Sequence, residues 1–345
     1  MKNYYATKSF LAMAAIIMLV IMPFFNGHTC AAEKVLTLQY SSSFPSTDQV
    51  GMLSEQWCRE VEKRTSGRVK INYYAGSTLT PAAQTYDSIV QGIADLGVVI
   101  PAYTRGRFPL TEVLELPLGV KSGLIGTRLY NEYFKKFRPK EFNGVKVLYL
   151  YSHGPGVLHS RKPINKLEDI KGVKIRCNPN ISKIVLALGG IPVSMPQTEA
   201  YDALQKGVVD ATLTPYQPLE GWRFAEVIKY TTENYSSSYV ALFMIVMNKD
   251  KWNSLPKDIQ EVFEKASEEW IDKTGRLWDK LDIHAKEYSQ SRGNKVIKLS
   301  STEDQRWAQK VEGTRIEYVK AMKAKGLPGD QALQFCIDYV NANQK

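Results

Sequence analysis

Two stretches of the chain repeat one pattern of polar and apolar positions. Tyr86-Asp87 is followed by Gly92 and Asp95, and Tyr201-Asp202 is followed at the same offsets by Gly207 and Asp210. Ahead of each glycine the periodicity is helical. Behind each aspartate come apolar runs, residues 96–100 and 211–213, that suit buried strands. A helix that stops at a left-handed glycine and runs into a strand is an αβ unit. Two such units far apart in sequence suggest two related lobes, and a cleft between lobes suits a ligand.

The rest of the pattern fits that reading. Residues 35–40 alternate like a strand and end in Ser41-Ser42-Ser43-Phe44-Pro45. A helix is predicted over 49–65, with Val50, Leu53, Trp57 and Val61 on one face, and a strand over 69–73. Thr80 as cap and Pro81 in the first turn predict a helix running to Gln91. The order β-α-β-α-β predicts a mainly parallel sheet. Residues 101–121 read as irregular, 124–137 as helix and 145–151 as strand, and His153-Gly154-Pro155-Gly156 breaks the backbone where one lobe hands over to the other.

A second parallel unit follows. It has a strand over 173–176, the turn Asn178-Pro179-Asn180, a helix over 181–188 stopped by Gly189-Gly190, a strand over 191–195, and a helix capped by Thr198. Residues 239–248 form a long apolar strand expected to run back through the hinge. Helical spacing then persists over 257–290, about 45–50 Å of helix, long enough to brace both lobes. A strand over 295–299, a helix opening at Ser301 and a terminal helix over 329–343 complete the chain. The expected fold is α/β and two-lobed, like a periplasmic binding protein, with a strand hinge and a lobe-spanning helix. Lobe one is expected to take 33–153 plus about 243–280, and lobe two 154–242 plus about 281–345.

The N-terminus sets the compartment. Lys2 and Lys8 precede an apolar run over 10–25, and Cys30-Ala31-Ala32 supplies small residues for cleavage, so 1–32 reads as a secretory signal peptide and the mature chain as periplasmic. The net charge of +10 is spread along the chain with acids interleaved, which gives nucleic-acid binding no support. Cys58, Cys177 and Cys336 show no metal-ligand spacing, and they are expected to be buried free thiols. No metal site and no cofactor motif is present in the sequence, nor a nucleophile elbow or a phosphate-cradling loop.

Arg176 is the leading candidate for chemistry. It ends a predicted strand just before a helix start, where open α/β sheets bind ligands and helix N–H groups attract anions. Its planar fork can grip a carboxylate through two hydrogen bonds. The competing reading makes it a surface residue paired with Asp169. Thr214 and Tyr216, in the stiff turn Thr214-Pro215-Tyr216-Gln217-Pro218, can donate hydrogen bonds. Tyr216 or Trp222 can cover an apolar ligand body, unless Trp222 is plain core. In the first lobe Ser42, Ser43 and Tyr103 lie at strand ends that would face the cleft.

The segment from Leu167 to Asp210 resembles one family, the solute receptors of tripartite ATP-independent periplasmic (TRAP) transporters of the dicarboxylate-receptor type. Glu168-Asp169-Ile170-Lys171-Gly172-Val173-Lys174-Ile175-Arg176 is similar to its signature strand, and Ala203-Leu204-Gln205-Lys206-Gly207-Val208-Val209-Asp210 to its next block. Weaker similarity spans 34–345. The resemblance implies ligand capture by lobe closure and delivery to a membrane permease of two unequal subunits driven by an ion gradient. By position it makes Arg176 the carboxylate anchor and places Gln197 and Thr214 in the pocket. Sugar-acid members often carry a second arginine where this chain has Gly154-Pro155-Gly156-Val157-Leu158. The expected ligand is therefore a small organic acid, a monocarboxylate with an apolar or aromatic body, with a diacid still open. A receptor feeding a membrane sensor and an exported α/β hydrolase are the alternatives.

Overall fold

The computed structural model describes residues 35–344. The signal peptide expected over 1–32 lies outside the described residues. The first sheet is built from β1 (Leu36–Ser41), β2 (Val69–Tyr74), β3 (Leu96–Val99), β4 (Val145–Ser152) and, from much later in the chain, β10 (Leu242–Asn248), in the order β2-β1-β3-β10-β4. The second holds β5 (Val157–Ser160), β6 (Lys174–Cys177), β7 (Ile191–Ser194), β8 (Ala211–Thr214), β9 (Tyr230–Glu233) and β11 (Lys295–Lys298), in the order β11-β9-β5-β8-β6-β7. Taken from β7, the second sheet repeats the first: β7 stands where β2 does, β6 for β1, β8 for β3, β5 for β10 and β9 for β4.

The repeated sequence frame does the same job in both sheets. Gly92 and Gly207 both take left-handed φ, +76° and +72°. The aspartate three residues on then pins a strand to its parallel neighbour. Asp95 donates its N–H to Gln39 O and accepts the Gln39 N–H at 2.8 Å; Asp210 donates to Lys174 O and accepts the Lys174 N–H at 3.3 Å. A carboxylate that takes the last free N–H at a strand edge fixes register where the ladder begins.

Neither sheet is purely parallel. β10 runs antiparallel between β3 and β4, and β5 runs antiparallel between β8 and β9. These are the strands entered from the two crossing segments, around 153–156 and 238–241, which meet where Gly156 N–H donates to Tyr239 O at 2.8 Å. A Cβ on Gly156 would lie 2.4 Å from the Tyr239 ring, so only glycine lets the segments pass so closely.

The helices are α1 (Gln49–Arg64), α2 (Thr85–Val90), α3 (Gly123–Phe137), α4 (Ser182–Ala187), α5 (Gln197–Gln205), α6 (Pro218–Gly221), α7 (Lys249–Ser254), α8 (Lys257–Ser291), α9 (Ser301–Ala324) and α10 (Gly329–Asn343). α1 buries Val50, Trp57, Cys58 and Val61 and is capped by Asp48. Two expected caps are corrected. α2 begins at Thr85, because the Thr80 hydroxyl is engaged by Ser41 Oγ (2.6 Å) and Thr85 Oγ1 (3.0 Å). α5 begins after Pro196, with Thr198 inside the helix.

α8 packs on α1, α3 and β4 and also on α6, so it touches elements of both lobes. Its Gly275 admits Leu124, and its Asp279 accepts the N–H groups of Gly123 (2.6 Å) and Leu124 (3.2 Å), capping α3 from another element. α9 lies against α4, and α10 packs on α3, where Ala332, Cys336 and Val340 join Leu129, Tyr130 and Tyr133 in one apolar cluster that also takes Tyr318 and Met322 of α9. Cys58, Cys177 and Cys336 are free and buried. Among the described residues no helix is long and apolar enough to cross a membrane.

Candidate functional site

The carboxyl ends of β1, β3, β6 and β8 converge on one cavity between the sheets. Open α/β folds bind ligands at this end of their strands. Ser43 and Phe44 reach it from β1, Ile100 and Tyr103 from β3, Arg176 and Asn178 from β6, and Thr214, Pro215 and Gln217 from β8. Gln197 at the start of α5, Trp222, Tyr239, Phe243 and Trp278 complete most of the wall.

Arg176 is the one charged side chain lining the cavity and is 3% exposed. Its Nε and Nη2 donate to Met195 O at 3.2 and 2.9 Å, and Nη1 donates to Gln197 Oε1 at 2.5 Å. A guanidinium has five N–H donors. The Tyr103 hydroxyl is a further hydrogen-bond neighbour of the guanidinium, and no ion pair involves Arg176 among the described residues. The Asp169 pairing is set aside: that carboxylate instead accepts the N–H groups of Asn165 (2.8 Å) and Lys166 (3.2 Å). A buried cation without an anion is costly, which makes the cavity electrostatically receptive to a carboxylate.

The helix start after β6 contributes less than expected. Asn178 Oδ1 takes the N–H groups of Asn180 (2.9 Å) and Ile181 (3.2 Å), and α4 has only six residues, so these donors are already satisfied. The anion attraction therefore comes from the side chain and not from a helix terminus.

Neither buried histidine adds charge. Burial, with Arg176 nearby, pushes the His153 pKa down to about 4, and its Nδ1–H donates to Gly154 O while Nε2 accepts the Ala241 N–H at 3.1 Å. Burial also pushes His159 down to about 4. Its ring nitrogens face Thr231 Oγ1 (2.8 Å) and the carbonyls of Thr214 (3.1 Å) and Pro215 (3.0 Å), which holds the turn at the cavity wall.

The apolar part of the wall is aromatic. Phe44 lies 5.8 Å from Phe243 and 6.2 Å from Trp222, and Phe243 stacks on Trp278 at 5.9 Å with planes 28° apart. Such rings can stack on a flat apolar body.

Of the residues singled out by sequence, Ser43, Tyr103, Arg176, Gln197, Thr214 and Trp222 line this cavity together. Tyr216 does not: its ring packs on His159 and its hydroxyl donates to Glu233 at 2.9 Å. Phe44, His153, Gln217, Tyr239, Phe243 and Trp278 line it without having been singled out. Phe44 directly follows Ser43, and residues 239–243 were visible only as a hinge strand. Trp278 is simply one apolar position among many on α8.

Hydrogen bonds tie elements of the two sheets together around the cavity. Gln197 N–H donates to the Tyr103 hydroxyl at 2.9 Å, Gln217 Nε2 to Asp48 Oδ2 at 2.6 Å, and Asn180 Nδ2 to Glu115 Oε2 at 2.5 Å. Asp282 on α8 accepts the Gln217 N–H at 2.8 Å, and burial pushes its carboxyl up to about 8.

Comparison with known proteins sets this architecture in a family. The model of bacterial extracellular solute-binding protein, family 7, matches residues 40–320. A TRAP periplasmic solute-binding protein from Desulfovibrio salexigens, solved as an open complex, is 34% identical, with 90% of this chain and 97% of that one covered and a TM-score of 0.79. One from Rhodoferax ferrireducens, in complex with copurified benzoate, is 28% identical, covers 89% and 98%, and has a TM-score of 0.85. A marine metagenome protein specific for aromatic acids, in complex with metahydroxyphenylacetate, is 25% identical, covers 90% and 100%, and has a TM-score of 0.86. The chain belongs to family 7 of the bacterial extracellular solute-binding proteins, the periplasmic solute receptors of TRAP transporters, and it is a ligand-binding protein, not an enzyme.

Proposed function

We propose that this receptor captures an aromatic monocarboxylate and delivers it to a two-subunit membrane permease. The observation that carries this reading is Arg176, buried and without an ion-pair partner, as the single charge in a cavity whose wall also brings Phe44, Trp222, Phe243 and Trp278 together. The carboxylate pairs with the guanidinium, and the ring lies among Phe44, Trp222, Phe243 and Trp278. Thr214, Ser43 and Tyr103 offer hydroxyls along the way. The relatives that carry benzoate or metahydroxyphenylacetate support the class. A single cation with no second one nearby disfavours a diacid, whose far carboxylate would be buried unpaired.

The two lobes, each carrying one sheet, close about the crossing segments at 153–156 and 238–241 while α8 spans both. Residues 1–32 are removed on export. Native mass spectrometry of the purified mature protein tests the ligand class. The expected result is one small acid per chain, released on denaturation and identified as an aromatic monocarboxylate. A bound sugar acid or diacid would overturn the proposal.

A further inference from the structure

Gln197 and Gln217 stand in the cavity wall with their amides held in opposite senses, and from this we infer that the ligand is a hydroxylated aromatic carboxylate, its hydroxyl donating to Gln217. The inference rests on the aromatic-carboxylate reading above. Gln197 gives its Oε1 to Arg176, which leaves Nε2, a donor, buried without a partner. That donor adds to the pull on an anion at the Arg176 end.

Gln217 is turned the other way. Its Nε2 donates to Asp48 Oδ2, while Asp48 Oδ1 accepts the N–H groups of Val50 (2.8 Å) and Gly51 (3.4 Å). The carboxylate is thus fixed from two sides, and the amide cannot flip without facing oxygen to oxygen. Gly221 closes in on the same amide: a Cβ there would lie 2.2 Å from Gln217 Nε2. What remains is Gln217 Oε1, an acceptor only, on a residue 3% exposed and without a partner. An acceptor removed from water and left unpaired is unfavourable, and it is tolerated where something outside the chain supplies the donor.

Gln217 and Trp222 also border the adjoining cleft, together with Asp48 and Glu220, whereas Arg176 and Gln197 do not. The unpartnered donor thus belongs to the residue bonded to Arg176, and the unpartnered acceptor to a different part of the wall. A ligand that satisfies both carries its negative charge and its hydrogen-bond donor on different parts of the ring. A site built to hydrogen-bond a hydroxyl discriminates strongly against the analogue lacking it.

Isothermal titration of the mature protein with benzoate and with ortho-, meta- and para-hydroxybenzoate tests this without any variant. At least one isomer is expected to bind more than about tenfold tighter than benzoate. In Gln217→Met, whose apolar side chain has similar length, the ratio of that isomer to benzoate is expected to collapse toward one. Benzoate binding as tightly as every isomer, or a preference that survives Gln217→Met, would overturn the inference and leave the aromatic-carboxylate reading standing. Binding of none of the four acids would overturn both.

Discussion

Glu115 and Asn180 meet across the line between the lobes. Asn180 Nδ2 donates to Glu115 Oε2 at 2.5 Å, and the other carboxylate oxygen accepts the Leu242 N–H at 2.9 Å. Glu115 is buried, and no cation pairs with it among the described residues.

This carboxyl makes stability depend on pH. Burial pushes it from its ordinary 4.5 up to about 7, against the opposing effect of its two hydrogen bonds. The folded protein therefore keeps the proton where the unfolded chain has lost it. The contribution is fully present below about pH 4.5 and is lost as pH rises through about 7, by about 3 kcal/mol at most. Glu115→Gln can still accept from Leu242 and carries no charge. Urea denaturation at about pH 5 and about pH 8 is expected to show the variant gaining on the wild type over that interval. A difference independent of pH would mean that Glu115 ionises normally.

Gly275 tests how α8 is seated. In an exposed helix, Gly→Ala stabilises by about 1 kcal/mol. Here a Cβ would lie 2.7 Å from Leu124 Cα, which is backbone and cannot swing aside, and the Asp279 cap of α3 sits one turn further along. Gly275→Ala is therefore expected to lower stability by about 1–3 kcal/mol, read as a lower melting temperature. A raised melting temperature would show that α3 and α8 are not packed this closely.

The sequence carried the repeat well, because the Tyr-Asp…Gly…Asp frame encodes local geometry: a left-handed stop and a carboxylate at a strand edge. The position of Arg176 at a strand end is legible for a similar reason, since its strand and the turn after it are both strongly marked. The aromatic wall was not. Phe44, Phe243 and Trp278 come from a loop, a hinge strand and the long helix, and nothing local distinguishes an aromatic that faces a cavity from one that faces the core. Tyr216 lies outside the cavity wall, held by His159 and Glu233, and no local pattern in the turn distinguishes it from Thr214. Thr80 and Thr198 were read as caps because threonine commonly caps, yet neighbouring hydroxyls and Pro196 decide those starts. The path of α10 onto α3 depends on contacts across some two hundred residues of chain, which no local pattern reports.

Titration calorimetry of Arg176→Ala with an aromatic monocarboxylate, beside the wild type, addresses the central claim most directly. Both proteins would first be shown by circular dichroism to be folded. Removing one partner of a buried charge pair costs about 2–5 kcal/mol, so the affinity is expected to fall by more than about tenfold, with Arg176→Lys recovering only part of it because an ammonium cannot make the two-pronged contact. Wild-type affinity in Arg176→Ala would contradict the account, since the carboxylate would then be held somewhere other than at the guanidinium.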